Sequence, residues 1–344
     1  MLPLELELWM NICDIACCDD GRTGRSLSLV SRTLYEASKP YKLRTVAVRG
    51  EFQIVNFARL LESLPLESRN VQNIYITSWT LDSPEGECDS GDSSSPAFQA
   101  MVALYQPSIC DRIPGPEPEE IVEDRRELLA HVISRVLTSI STTVRIVHIF
   151  LDVYRDFIFL PVKFSRLEEL TLQGPFEYSF KAYIPHLPVI PTLRRLKVTH
   201  ASLYQNGTLI DSIAVYAPSL THLYLRVSNI HDARMVTHLD QVVNPPSSKP
   251  DQFPSTLQKF ILHPGRKEPL GTCGTGYGIV FSAKRRVFEY CKSQPKIVLL
   301  KEQLYNHENI RLTQDQLEGE TEWLDRANGG LGCWDDSNRM NSLI

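Results

Sequence analysis

Residues 193–198 read Leu-Arg-Arg-Leu-Lys-Val, and residues 220–225 read Leu-Thr-His-Leu-Tyr-Leu. Both follow one template, apolar-x-x-apolar-x-apolar, and this template decides the fold. Its last two apolar positions lie two residues apart. On a strand they share one face and sink into a core, while the residues between them point the other way. The same template occurs at Leu43-Val46-Val48, Val71-Ile74-Ile76, Val144-Val147-Ile149, Leu167-Leu170-Leu172 and Leu257-Phe260-Leu262. The run Ile297-Val298-Leu299-Leu300 is a candidate eighth strand.

Successive first positions are 28, 73, 23, 26, 27 and 37 residues apart. Four of these six intervals match the period of a leucine-rich repeat, about 20–29 residues. One such unit cannot cover its own apolar face, so units stack into a curved solenoid with a parallel sheet. Helical patterns fill the intervals. They carry Ile54, Phe57, Leu60 and Leu61 in 51–63, and Leu128, Leu129, Val132, Ile133 and Val136 in 121–140. Leu209, Ile213 and Val215 come next in 208–216, then Ile279, Val280, Phe281, Val287 and Phe288 in 278–291. The expected class is therefore α/β, an irregular leucine-rich-repeat-like solenoid over residues 41–300 with right-handed returns.

Two departures from the period have local causes. A poorly ordered insert at about 82–120 sits in the longest interval: residues 82–97 are rich in Ser, Asp, Gly and Pro, and 111–119 carry Pro114, Pro116 and Pro118. Pro245, Pro246, Pro250 and Pro254 lengthen the 37-residue step. Beyond the repeats, residues 301–344 hold nine acidic and four basic side chains. This acidic tail is either disordered or a strap packed by Trp323 and Trp334.

The template predicts which strand residues face outward. They are Glu169, Thr171 and Gln173; Arg195, Lys197 and Thr199; His222, Tyr224 and Arg226; and Lys259, Ile261 and His263. Arg195, Lys197, His222, Tyr224, Arg226 and Lys259 are the candidate target-binding residues, with Tyr224 and the arginines as a hot-spot cluster. The plain alternative is a solvated sheet surface.

Residues 1–40 read as a helical hairpin. Leu4, Leu8, Ile12 and Ile15 recur at helical spacing, Asp19-Asp20-Gly21 interrupts, and Leu27, Val30, Leu34 and Ala37 form a second set before Pro40. Leu6, Trp9 and Met10 lie off the first stripe. A segment this short buries too little surface to be stable alone, so its surplus apolar residues pack on the repeats or on a partner.

This hairpin resembles an F-box. The matching residues are Leu2-Pro3, Glu5-Leu6, Ile12 and the run Ser26-Leu27-Ser28-Leu29-Val30-Ser31-Arg32. An F-box-like hairpin before degenerate leucine-rich repeats is similar to the large group of fungal F-box proteins. Leu34 stands where that family often has a tryptophan. The resemblance implies a substrate-recognition adaptor of a cullin-type (SCF) ubiquitin ligase. The hairpin would bind a Skp-type adaptor, and through it a cullin, by Leu2, Pro3, Leu8, Trp9, Ile12, Leu27, Leu29 and Val30. The repeats would hold a target protein, and no catalysis would occur on this chain. Two alternatives remain. One is a repeat scaffold with no ligase link, its hairpin a mere cap. The other is a nucleotide-dependent enzyme using Gly271, Gly274, Gly276 and Gly278, which could equally be a flexible surface loop.

Composition narrows the partners. The 344 residues carry a net charge of −5, without the basic footprint of a nucleic-acid binder. No apolar run reaches the length of a membrane span, and no export signal opens the chain. The expected location is the cytosol, the nucleus or both. Eight scattered cysteines show no paired metal-ligand spacing, nor do the histidines. No cofactor or metal is expected.

Overall fold

The computed structural model describes residues 5–78, 99–100, 118–151, 163–173, 190–201, 213–227, 235–244, 253–264, 274–301 and 311–334. The chain is α/β. A strand lies at each of the seven templates, β1 (Thr45–Arg49), β2 (Asn73–Thr77), β3 (Ile146–Phe150), β4 (Glu169–Gln173), β5 (Arg195–Ala201), β6 (His222–Val227) and β7 (Lys259–Pro264), and at the candidate run beyond them, β8 (Ile297–Leu299). The helices are α1 (Leu6–Ala16), α2 (Arg22–Val30), α3 (Arg32–Ser38), α4 (Gly50–Ser63), α5 (Pro118–Ile140), α6 (Ile213–Tyr216), α7 (Met235–Val243), α8 (Gly274–Ser293) and α9 (Arg311–Ala327). The chain divides into two units, 1–167 with 312–332, and 168–311 with 333–344.

In the first unit β1, β2 and β3 pair in parallel, with Val46, Ile74 and Val147 in one lateral row. These residues are buried, as are Val48, Ile76 and Ile149 two positions on. Helix α4 packs on β1, β2 and α5, burying Ile54, Val55, Phe57, Ala58 and Leu61. Helix α5 adds Leu129, Val132, Ile133, Val136 and Leu137 to the interior. It begins at Pro118, inside the stretch expected to be an insert. Proline suits this first helical position, where its missing N–H takes nothing from the helix. The remainder of the insert, residues 82–98 and 101–117, lies outside the described residues.

In the second unit β4 to β8 pair in parallel, each strand with the next in sequence. Strands β5, β6 and β7 enter the sheet in the same way. The Glu168 carbonyl accepts from the Arg194 and Arg195 amides, Arg194 from Thr221 and His222, and Thr221 from Gln258 and Lys259. Arg44 serves Gln72 and Asn73 likewise in the first unit. One apolar residue later begins the buried face, Leu196, Leu223 and Phe260 in register. Helix α8 packs on β8 and α7.

The glycine-rich string was expected as a loop. Gly274, Gly276 and Gly278 instead stand in the first turns of α8, and Gly271 lies outside the described residues. Helix α9 also settles the tail. Trp323 is fully buried, with its ring centroid 5.7 Å from that of Tyr75, which is in turn 5.4 Å from Phe150. Gly319 is the close-approach residue of α9: any Cβ there would strike the Phe150 ring. The tail is thus a strap rather than a disordered end over residues 311–334.

The hairpin consists of three helices. Gly21, at φ 95°, takes the left-handed turn that other residues resist. Asp19 caps the start of α2, one carboxylate oxygen accepting from the Gly21 amide at 3.1 Å and the other from Thr23 at 2.9 Å. The second apolar set, read as one helix, breaks at Ser31, whose extended backbone ends α2 and whose hydroxyl caps α3 by accepting from the Leu34 amide. Helix α3 packs on α1 and α2.

Candidate functional site

Two regions gather the candidate residues. The first is the hairpin. Its inward face in α1 is the Cys13 and Cys17 side, both fully buried. Small side chains there let α1 sit close to its neighbours. Burial, with help from the Cys13 and Asp19 charges, pushes the Cys17 thiol up to about 11, and burial raises Cys13 as well. Both remain protonated, unreactive core thiols at neutral pH.

The stripe read at helical spacing therefore faces out. Leu8 is 50% exposed, Ile12 46% and Ile15 78%. They lie at i, i+4 and i+7, one line along the helix. Leu29 and Val30, at the end of α2, are 80% and 69% exposed. Trp9 and Leu27 are half-buried, and Leu2 and Pro3 lie outside the described residues. Polar contacts fix the hairpin to β1 from the other side. Arg44 pairs with Asp14, and the Ala47 amide donates to the Asp20 carbonyl. Arg49 bridges two carboxylates: it donates to Asp20 Oδ2 at 3.0 Å and makes a two-point contact with Glu320 of α9. Those hydrogen bonds, Glu320 first, hold the guanidinium charged against the opposing effect of burial.

The second region is the outer strand face of the second unit. Glu169, Arg195, His222 and Lys259 stand side by side across β4 to β7. Thr171, Lys197, Tyr224, Ile261 and Val298 form the next row. All six candidate target-binding residues thus share one face. Their expected exposure is wrong. Lys197, Tyr224 and Arg226 are buried, with Glu169, Thr171, Gln173, Thr199, Ile261 and His263; Arg195, His222 and Lys259 are half-buried.

Part of the cover is Trp334. It packs on Tyr224, Ile261, Val298 and Leu300 and meets Tyr224 and His222 edge-on, with centroids 6.4 and 5.9 Å apart. Its indole Nε1–H donates to Glu169 Oε1 at 3.0 Å. Lys259 Nζ donates to its carbonyl oxygen at 3.0 Å. Around it, Arg195 Nη1 lies 3.5 Å from Glu169 Oε2, and Lys197 Nζ lies 4.9 Å from the Tyr224 ring centre. Tyr224 OH and His263 Nδ1 share a 2.5 Å hydrogen bond. The two histidines expected to face solvent are thus engaged inside the face. Glu169 and Trp334 were not among the target-binding candidates. Tyr224 and Ile261, bulky at outward positions, were the available signal.

His222 also gives a pH prediction. Burial, then the Arg195 and Lys259 charges, lower its pKa against the smaller pull of Glu169. The unfolded chain takes this proton near the ordinary histidine value of about 6.5, whereas the folded chain resists until lower pH. The unfolded state binds more protons in that window, so stability falls as pH drops through about 6.5. Urea midpoints from pH 8 to 5 should fall less for His222→Gln than for the wild type.

Among the described residues no helix is long and apolar enough to cross a membrane. No group of His, Cys, Asp and Glu among them could hold a metal ion. Neither a protein-family model nor a curated protein nor a solved structure matches the chain.

Proposed function

We propose that the chain is a substrate receptor of a cullin-type ubiquitin ligase: an F-box-like hairpin binds a Skp-type adaptor, and a leucine-rich-repeat-like body holds a target protein. The supporting observation is the line of Leu8, Ile12 and Ile15, with Leu29 and Val30, left exposed on helices whose polar contacts are spent on the body. Each such side chain contributes roughly 1.5–3 kcal/mol when fully buried, so a partner covering them gains several. Regular parallel strands at repeat spacing support the second half of the reading. In this reading the chain does no chemistry itself and works in the cytosol or nucleus, where adaptor and cullin meet it. Direct target contact narrows to the half-buried Arg195, His222 and Lys259 unless Trp334 moves aside.

The test is a pull-down of the full chain with a Skp-type adaptor, comparing wild type with Leu8→Asp and Val30→Asp. Leu8 is half exposed and Val30 more than half, so both variants should keep the wild-type urea midpoint, which checks that they fold. A charge in an apolar contact weakens binding by tenfold or more, on the order of 2 kcal/mol. Retention of the adaptor by both variants would reject the docking assignment and leave the repeat scaffold.

A further inference from the structure

The outer face of the second unit has the composition of a binding surface, yet Glu169, Lys197 and Tyr224 are buried in it and Arg195, His222 and Lys259 half-buried. One lateral row, Glu169, Arg195, His222 and Lys259, sets ionisable side chains beside a single indole. Burying charged groups is unfavourable unless each is well paired, and a permanent core would put aliphatic residues there, as the opposite face does with Leu170, Leu196, Leu223 and Phe260. These groups instead read features of a peptide. Glu169, almost wholly buried, accepts the indole N–H, and Lys259 donates to the carbonyl of the same residue. Tyr224 and His222 wall the ring, over a floor of Ile261, Val298 and Leu300. A carboxylate for the N–H, an ammonium for the carbonyl and an aromatic slot specify tryptophan in a peptide chain.

We propose that this seat recognises a tryptophan-bearing segment of the target protein, and that Trp334 is its internal occupant. The chain's own strap and the target segment compete for one site, and the strap sets the affinity a target must exceed. The occupant reaches the seat in a three-residue helical turn, Gly332–Trp334, which opens on one positive-φ glycine, Gly332, and follows another, Gly329. The turn is held to the end of α9, the Gly332 amide donating to Asp325 Oδ2 at 2.7 Å. This inference rests on the target-capture half of the proposed function and is independent of adaptor docking.

The test uses the full chain and a fluorescein-labelled peptide copying residues 329–336, Gly-Gly-Leu-Gly-Cys-Trp-Asp-Asp, read by fluorescence anisotropy. Trp334→Ala opens the seat and should bind the peptide at least roughly tenfold more tightly than the wild type, whose seat is filled. Adding Glu169→Gln should weaken that binding by roughly tenfold, the value of one charge-assisted hydrogen bond. A peptide with alanine for tryptophan should not bind. No binding to Trp334→Ala, equal binding to both proteins, or binding that ignores the tryptophan each overturns the proposal. So does loss of cooperative unfolding in Trp334→Ala, because a ring the fold requires is not a displaceable occupant. Adaptor pull-downs on the same variants separate the two ideas. Adaptor capture without peptide binding defeats this proposal alone, and peptide binding without adaptor capture defeats the ligase link alone.

Discussion

Trp323→Ala should destabilise the first unit by about 3–5 kcal/mol, the range for deleting a large buried aromatic. The ring is completely buried in a cluster with Tyr75 and Phe150, flanked by Ala47, Ile146 and Leu324. Nothing nearby can collapse into the space easily, because Gly319 already brings α9 against the Phe150 ring. Urea unfolding should show a midpoint well below wild type. Trp323→Phe should lose far less, about 1 kcal/mol. The indole Nε1 finds no hydrogen-bond partner among the described residues, so phenylalanine removes a buried donor along with some volume. A near-wild-type midpoint for Trp323→Ala would show that α9 rests on the sheet without stabilising it.

Arg49→Leu should lower stability by about 3–5 kcal/mol. Arg49 is mostly buried, and so are both of its carboxylates, Asp20 and Glu320. Removing the guanidinium takes that partner from Glu320 and leaves Asp20 only the exposed Arg22, 3.1 Å away, which is more unfavourable than never having placed the two carboxylates there. The contrast is therefore with the triple variant Arg49→Leu, Asp20→Asn, Glu320→Gln, in which neither buried carboxylate charge remains. That variant should recover much of the loss. Asp20 belongs to the hairpin and Glu320 to α9, so the single variant loosens both from β1. Urea midpoints of the two variants carry the comparison. Equal midpoints would mean that the attraction itself, not the stranded charges, dominates.

The strand arrangement was legible in detail because strand spacing leaves a period in the chain. Seven strands lie on residues marked by the apolar template and the eighth on the run at 297–300, and the helical patterns at 51–63, 121–140 and 278–291 lie in α4, α5 and α8. The second face was misread. Alternation shows which residues one face buries, but not whether a distant segment covers the other. Parallel sheets covered on both sides read as near-continuous apolar runs. Ile74-Tyr75-Ile76, Phe260-Ile261-Leu262 and Ile297-Val298-Leu299 are such runs, and Trp323 and Trp334 were the candidate covers. In the hairpin, apolar periodicity found a stripe but not the direction it faces. The inward signal was Cys13 and Cys17, small residues one helical turn apart. Ser31, with Leu34 three residues later, marked a helix start that the continuous apolar pattern concealed.

Hydrogen–deuterium exchange of the full chain, with and without a saturating Skp-type adaptor, tests the account at its centre. The amides of α1 and of the α2–α3 segment should slow on adding the adaptor, while those of β5 to β7 keep their rates. Unchanged exchange throughout residues 6–38 would contradict the proposed docking face.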